Sequence, residues 1–154
     1  GEIAPGESLP VFDLPFGRIG LMICFDNFFP EVARILAVKG ARLICYPSMN
    51  SHRHSLHTRT AARAFDNACF VASSVVMGIR LMEGCAAVYD PKGEIVASPG
   101  QRDGVAVADV DLHHAYANLF SDDAEEQPWR DRHAWLMRSR RPQLYGALAK
   151  ERKA

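Results

Sequence analysis

Residues 18–46 read "RIGLMICFDNFFPEVARILAVKGARLICY". Residues 18–24 form an apolar run of strand length with little polar alternation, the pattern of a strand buried on both faces. Asp26 and Asn27 are residue types that cap a helix start. Pro30 suits a first helical turn, and Glu31 suits the positive end of a helix. Val32, Ile35, Leu36 and Lys39 recur at helical spacing, and Gly40 is a natural stop. Residues 42–46 are a second buried strand, closed by Pro47. Strand, short helix and strand make a βαβ unit, whose two strands run parallel.

The pattern extends outward in both directions. Residues 8–17 read as a short strand and a turn. Residues 51–68, "SHRHSLHTRTAARAFDNA", are a polar loop passing into a helix, and 69–78 are a third buried strand. Residues 85–98 read as a hairpin around Asp90-Pro91-Lys92-Gly93. Residues 104–112 add another strand, and 113–120 a short helix. From 121 the chain turns polar and reads as an extended tail, an arm for an interface. The class is α/β, with parallel strands first and an antiparallel hairpin later.

The bulk numbers exclude several functions. With 154 residues, the chain holds one domain with a real core. Lys+Arg and Asp+Glu both number 18, so the formal net charge is zero. A nucleic-acid binder needs a basic face, which argues against that class. No apolar run approaches the roughly 18 residues of a membrane span. Cys24, Cys45, Cys69 and Cys85 form no C-x-x-C pair, and they read as reduced thiols of a cytoplasmic protein. The chain opens without methionine, in what reads as a loop, as a piece of a longer protein would.

Cys24 ends a strand and precedes a helix. In a βαβ unit the loops at the carboxyl ends of the strands form the functional edge. Backbone N–H groups and a positive helix end there favour a thiolate and hold a developing oxyanion. The arrangement is like the strand–turn–helix elbow that presents a nucleophile. On this pattern alone a buried structural thiol and a nucleophile are both open readings. Cys45, Cys69 and Cys85 lack the helix start and read as structural.

The quoted stretch resembles the nucleophile region of the nitrilase superfamily, the carbon–nitrogen hydrolases. The matching residues are Gly17, Gly20, Cys24, Asp26, Phe29-Pro30-Glu31, Gly40-Ala41 and Pro47. Downstream, "ARAFDNACFVASS" is similar to the family's R-A-x-E-N run, with Arg63, Ala64 and Asn67 in place and Asp66 where glutamate is usual. "YDPKGEIVA", "GVAVADVDL" and "SRRPQLYG" resemble its hairpin, closing strand and tail. The resemblance implies part of an α-β-β-α sandwich, with residues 1–120 as the C-terminal portion of the hydrolase domain and 121–154 as the tail. It implies a thiolate that attacks an amide, carbamoyl or nitrile carbon, with no metal and no cofactor. By motif Cys24 is the nucleophile and the Phe25 backbone N–H the oxyanion donor. Glu31 then supports the loop at the helix start. Asn50, His52, His54 and His57, in and beyond the loop after residue 46, are substrate-pocket candidates. A homo-oligomer, or a complementing upstream half, is the expected partner.

The family's general base and lysine lie upstream of its cysteine, and residues 1–23 match neither motif. Lys39 stands about 14 Å from the start of its helix at about 1.5 Å per residue, too far to serve. Lys92, Lys150 and Lys153 fall in a turn and the tail. The chain therefore reads as a hydrolase that is active once an upstream half supplies base and lysine. The alternative is a non-catalytic truncated or split paralogue acting as a binding or assembly module. A Cys–His hydrolase using His52, His54 or His57 is a third reading.

Overall fold

A computed structural model describes residues 4, 6–49, 53–76, 86–100, 102–113 and 131–150. The strands are β1 (Val11–Leu14), β2 (Gly17–Leu21), β3 (Leu43–Ser48), β4 (Phe70–Val75), β5 (Ala87–Tyr89) and β6 (Ile95–Ala97). They form one sheet in the order of the chain. β2, β3 and β4 are parallel, and β1, β5 and β6 join antiparallel at the flanks. Helix α1 (Pro30–Val38) connects β2 to β3, and α2 (Arg53–Asn67) connects β3 to β4. Both crossovers step the same way across the sheet. Right-handed connections therefore place both helices on one face.

That face carries the core. Gly20, Met22, Ile44, Tyr46 and Val71 are buried against Ala33, Leu36, Leu56 and Ala64 of the helices. Gly20 is where α1 approaches closest: a Cβ there would meet three Leu36 side-chain atoms at 3.1–3.2 Å. The sequence pattern predicts strands covered on both faces, and here the structure differs. Burial alternates along β3, and Leu21 and Ile23 are exposed, Ile23 by 60 %. The described residues supply helices to one face only.

Both connecting helices end in the same hydrogen-bond arrangement. After α1, Gly40 N–H donates to Ala37 O (2.8 Å) and Ala41 N–H to Leu36 O (3.0 Å). After α2, Ala68 N–H donates to Phe65 O (3.3 Å) and Cys69 N–H to Ala64 O (3.2 Å). Each is a Schellman motif, whose turning residue takes a left-handed backbone. Gly40 does so at φ +94° and Ala68 at φ +46°. The hairpin turn forms as expected: Asp90 Oδ1 accepts from Lys92 N–H (2.8 Å) and Glu94 N–H (3.0 Å), and Gly93 sits at φ +82°.

Two expectations differ in the later chain. Residues 104–112 alternate in burial as a strand would, yet no strand is assigned there. Val105 and Val107 are 88 % and 82 % exposed. A ladder needs a neighbour for its backbone groups, and this segment has none among the described residues. The run read as an extended tail contains helix α3 (Arg132–Arg138), which packs on α1 and α2. Asp131 caps it, accepting from Ala134 N–H at 2.9 Å, and forms a two-pronged ion pair with Arg42. Arg132 donates to Pro91 O (2.8 Å) and Phe65 O (2.9 Å). The His133 ring nitrogens lie 2.9 Å from Asn67 O and 3.1 Å from Ala37 O. This net of polar contacts supplies what an apolar stripe does in longer helices. The expected helix at 113–120 lies outside the described residues, apart from its first residue.

Candidate active site

β2 ends at Leu21, and the chain enters a 3-10 turn at Cys24–Phe28 before α1 begins. The turn is closed by its own acid. Asp26 Oδ2 accepts from Ile23 N–H (2.8 Å), while Asp26 N–H donates to Ile23 O (2.9 Å). Asp26 and Asn27 were candidates to cap α1; the N-cap is Phe29, and no side chain caps it. The intervening turn has taken up both polar residues.

Cys24 sits at the head of this turn with φ +46°. A non-glycine residue in the left-handed region is strained by about 1–2 kcal/mol, and such strain concentrates at functional sites. The thiol is partly exposed, and its Sγ lies 3.8 Å from Met49 O at the end of β3. No backbone acceptor among the described residues takes the Phe25 N–H. The Phe25 side chain is 64 % exposed and groups with Phe28 and Phe29, ring centroids 5.1 and 5.4 Å apart. The mouth of the site is thus apolar.

The back of the turn is held from the core. Asn27 is fully buried; its Nδ2 donates to Thr60 Oγ1 (3.1 Å), and its backbone carbonyl accepts from Arg63 Nη2 (3.1 Å). Thr60 in turn donates to Leu56 O (2.8 Å). From β3, Tyr46 Oη lies 3.1 Å from Cys24 O and 3.1 Å from Ser48 Oγ. None of Asn27, Thr60, Tyr46 and Ser48 stood out as a functional candidate in the sequence. The readable signal for Tyr46 and Ser48 is a polar pair two residues apart, hence on one face of a strand.

The other thiols are different. Burial pushes the Cys69 thiol up to about 12, against the pull of Arg34 and Arg42. Burial also raises Cys45. Cys85 lies outside the described residues.

Glu31 occupies the first turn of α1. It lines a cleft of about 430 Å³ between α1, α2 and α3 with Arg34, Arg63 and Trp135; Cys24 is not among the cleft's lining residues. Burial lowers the Arg63 guanidinium, while the charges of Asp66 and Glu31 oppose that and Arg59 adds to it. Of the pocket candidates, Asn50 and His52 lie outside the described residues. His54 belongs to α2, but its side chain does too. His57 is turned to β5, with Nδ1 3.1 Å from Tyr89 Oη. Lys39 Nζ donates to Leu9 O at 2.6 Å, at the end of α1 away from Cys24.

A family model described as carbon–nitrogen hydrolase matches residues 3–118. Deaminated glutathione amidase of Rattus norvegicus is 35 % identical over 152 residues, covering 94 % of this chain and 43 % of that protein. An omega-amidase of Xenopus laevis is 34 % identical over 119 residues, covering 73 % and 43 %. The crystal structure of an amidase from Nesterenkonia sp. superimposes with a TM-score of 0.73 at 24 % identity, covering 94 % of this chain and 49 % of that one. The chain spans less than half the length of the curated relatives it matches. On the family match and the identity to these relatives, the chain belongs to the carbon–nitrogen hydrolases of the nitrilase superfamily.

Proposed function

We propose that Cys24 is the nucleophile of a hydrolase acting on small amides, with carbamoyl compounds and nitriles as neighbouring substrate classes. The carrying observation is the left-handed Cys24 at the head of a turn beyond a parallel strand. The thiolate attacks the carbonyl carbon, a C–S bond forms, and the π pair moves to oxygen. The Phe25 N–H donates to that oxygen. Collapse expels the amine, which leaves with a proton, and a thioester remains on Cys24. Water then releases the acid and restores the thiol. Glu31 serves this scheme as a support at the start of α1.

Proton transfer in both steps needs a base, and the oxyanion gains from a cation. We assign both to residues preceding this segment, where the family resemblance places them; the match covers less than half of the relatives' length. The test is turnover of a panel of simple amides by this chain alone and by the chain joined to an upstream half. Only the second should turn over. Cys24→Ala in that form should lower kcat/KM at least about ten-thousandfold, and intact mass should show an acyl adduct on Cys24 that the variant lacks. Absence of turnover in every combination would favour the assembly-module reading instead. Replacing His52, His54 and His57 together should leave thiol reactivity unchanged; its loss would favour a Cys–His dyad.

A further inference from the structure

Between Cys24 and the core lies a short chain of hydroxyls that the scheme above does not use. Tyr46 is fully buried and Ser48 nearly so. Tyr46 Oη stands 3.1 Å from both Cys24 O and Ser48 Oγ. A phenol has one proton, and a carbonyl oxygen only accepts. The Tyr46 proton therefore goes to Cys24 O, and the Ser48 hydroxyl donates to Tyr46 Oη. Such a relay polarises along its length, each bond strengthening the next.

The accepting carbonyl belongs to the peptide between Cys24 and Phe25, which is trans. In a planar trans peptide the C=O and the N–H point in opposite directions. Fixing that carbonyl toward buried Tyr46 therefore aims the Phe25 N–H away from Tyr46, and Phe25 itself is exposed. The register makes this contact available. Leu21 pairs with Cys45, and Met22 N–H donates to Cys45 O at 3.2 Å, so Tyr46 comes level with the chain just before the turn.

We infer that Tyr46, backed by Ser48, is a positioning residue that sets the oxyanion donor by holding the Cys24–Phe25 peptide plane. The inference rests on the proposed roles of Cys24 and Phe25. Tyr46 touches no substrate; it acts through the peptide.

Two reactions of the same thiol separate this role from a merely structural one. With p-nitrophenyl acetate, the Cys24 thiolate attacks the acetyl carbon, oxygen takes the π pair, and p-nitrophenolate leaves, giving an acetyl thioester. With iodoacetamide, the thiolate displaces iodide at a saturated carbon, and no oxyanion forms. Both rates are measured at Cys24 by peptide mass mapping of the full chain. Tyr46→Phe should slow acetylation about tenfold, short of the roughly hundred- to thousandfold cost of losing an oxyanion donor outright. Alkylation, and its pH profile, should not change. Ser48→Ala should slow acetylation by about two- to threefold, again with alkylation unchanged, and it carries the test should Tyr46→Phe fold poorly. Equal change in both reactions, or no change in acetylation, overturns the inference. If acetate instead fails to appear on Cys24 of the unaltered chain, the nucleophile reading itself falls.

Discussion

At the scale of single residues, the left-handed backbone of Cys24 is a cost and, in the role we propose for it, a presentation device. Cys24→Gly relieves the Cβ clash, offset in part by the entropy glycine adds to the unfolded chain. It should raise the urea midpoint by less than about 1 kcal/mol's worth of stability, whereas Cys24→Ala, which keeps the Cβ, should not. Reactivity of the remaining thiols should follow their burial. Cys69, pushed up to about 12, should resist iodoacetamide in the native protein at mildly alkaline pH and label only in denaturant, as peptide mapping would show. The place of the sulfur just past a strand end was legible in the sequence, because an apolar run, a proline and an acid bracket it. The Tyr46 hydroxyl was not, since its partner is 22 residues away and the contact exists only in the register of two parallel strands. No local pattern encodes that register.

At the scale of elements, the paired helix ends offer a matched experiment. Gly40 and Ala68 occupy the same position in the same motif. Ala68→Gly should stabilise by up to about 1 kcal/mol, and Gly40→Ala should destabilise by a similar amount. Urea unfolding of both variants reads the comparison. Helix α3 should answer to pH. Burial pushes the Asp131 carboxyl up, but the Arg42 and Ala134 hydrogen bonds, with the charges of Arg42 and His133, outweigh it and hold it below its ordinary value. Burial and then Arg42 push the His133 imidazole down, against the Asn67 and Ala37 carbonyls and Asp131. Both shifts favour the form present at neutral pH. The His133 contribution is complete above about pH 6.5 and falls as pH drops below that; the Asp131 contribution falls below about pH 4. The urea midpoint should decline in two stages on acidification. His133→Gln should remove the first stage and Asp131→Asn the second. The helices, the parallel strands and the hairpin were readable from spacing, caps and turn residues. α3 was not, because charged and polar groups anchor it across 41 to 96 residues of sequence. Residues 104–112 show the converse: their alternation is legible, but a strand also needs a neighbour.

At the scale of the molecule, one face of the sheet is covered by helices, while Leu21 and Ile23 on the other, with Val105 and Val107 of the later extended segment, meet solvent. Exposed apolar side chains of that kind favour association. The chain alone should sediment as a concentration-dependent mixture, and joining it to an upstream half should narrow that to one species in analytical ultracentrifugation. Val105→Lys with Val107→Lys should reduce self-association of the chain alone. Fold class was legible at this scale because consecutive βαβ units dictate it. Which faces stay open was not, since an apolar strand reads alike whether its cover comes from its own helices or from elsewhere.

The missing side chain at Gly20 has a reach greater than its size. The slim backbone there lets Leu36 nestle against the strand, and Leu36 lies near the far end of a rod whose other end begins just past the Cys24 turn. Even a methyl group would act as a wedge under that rod, tilting it about the sheet. If Cys24 is the nucleophile we propose, the injury would be felt at the sulfur, a few residues along the chain, as well as in the core.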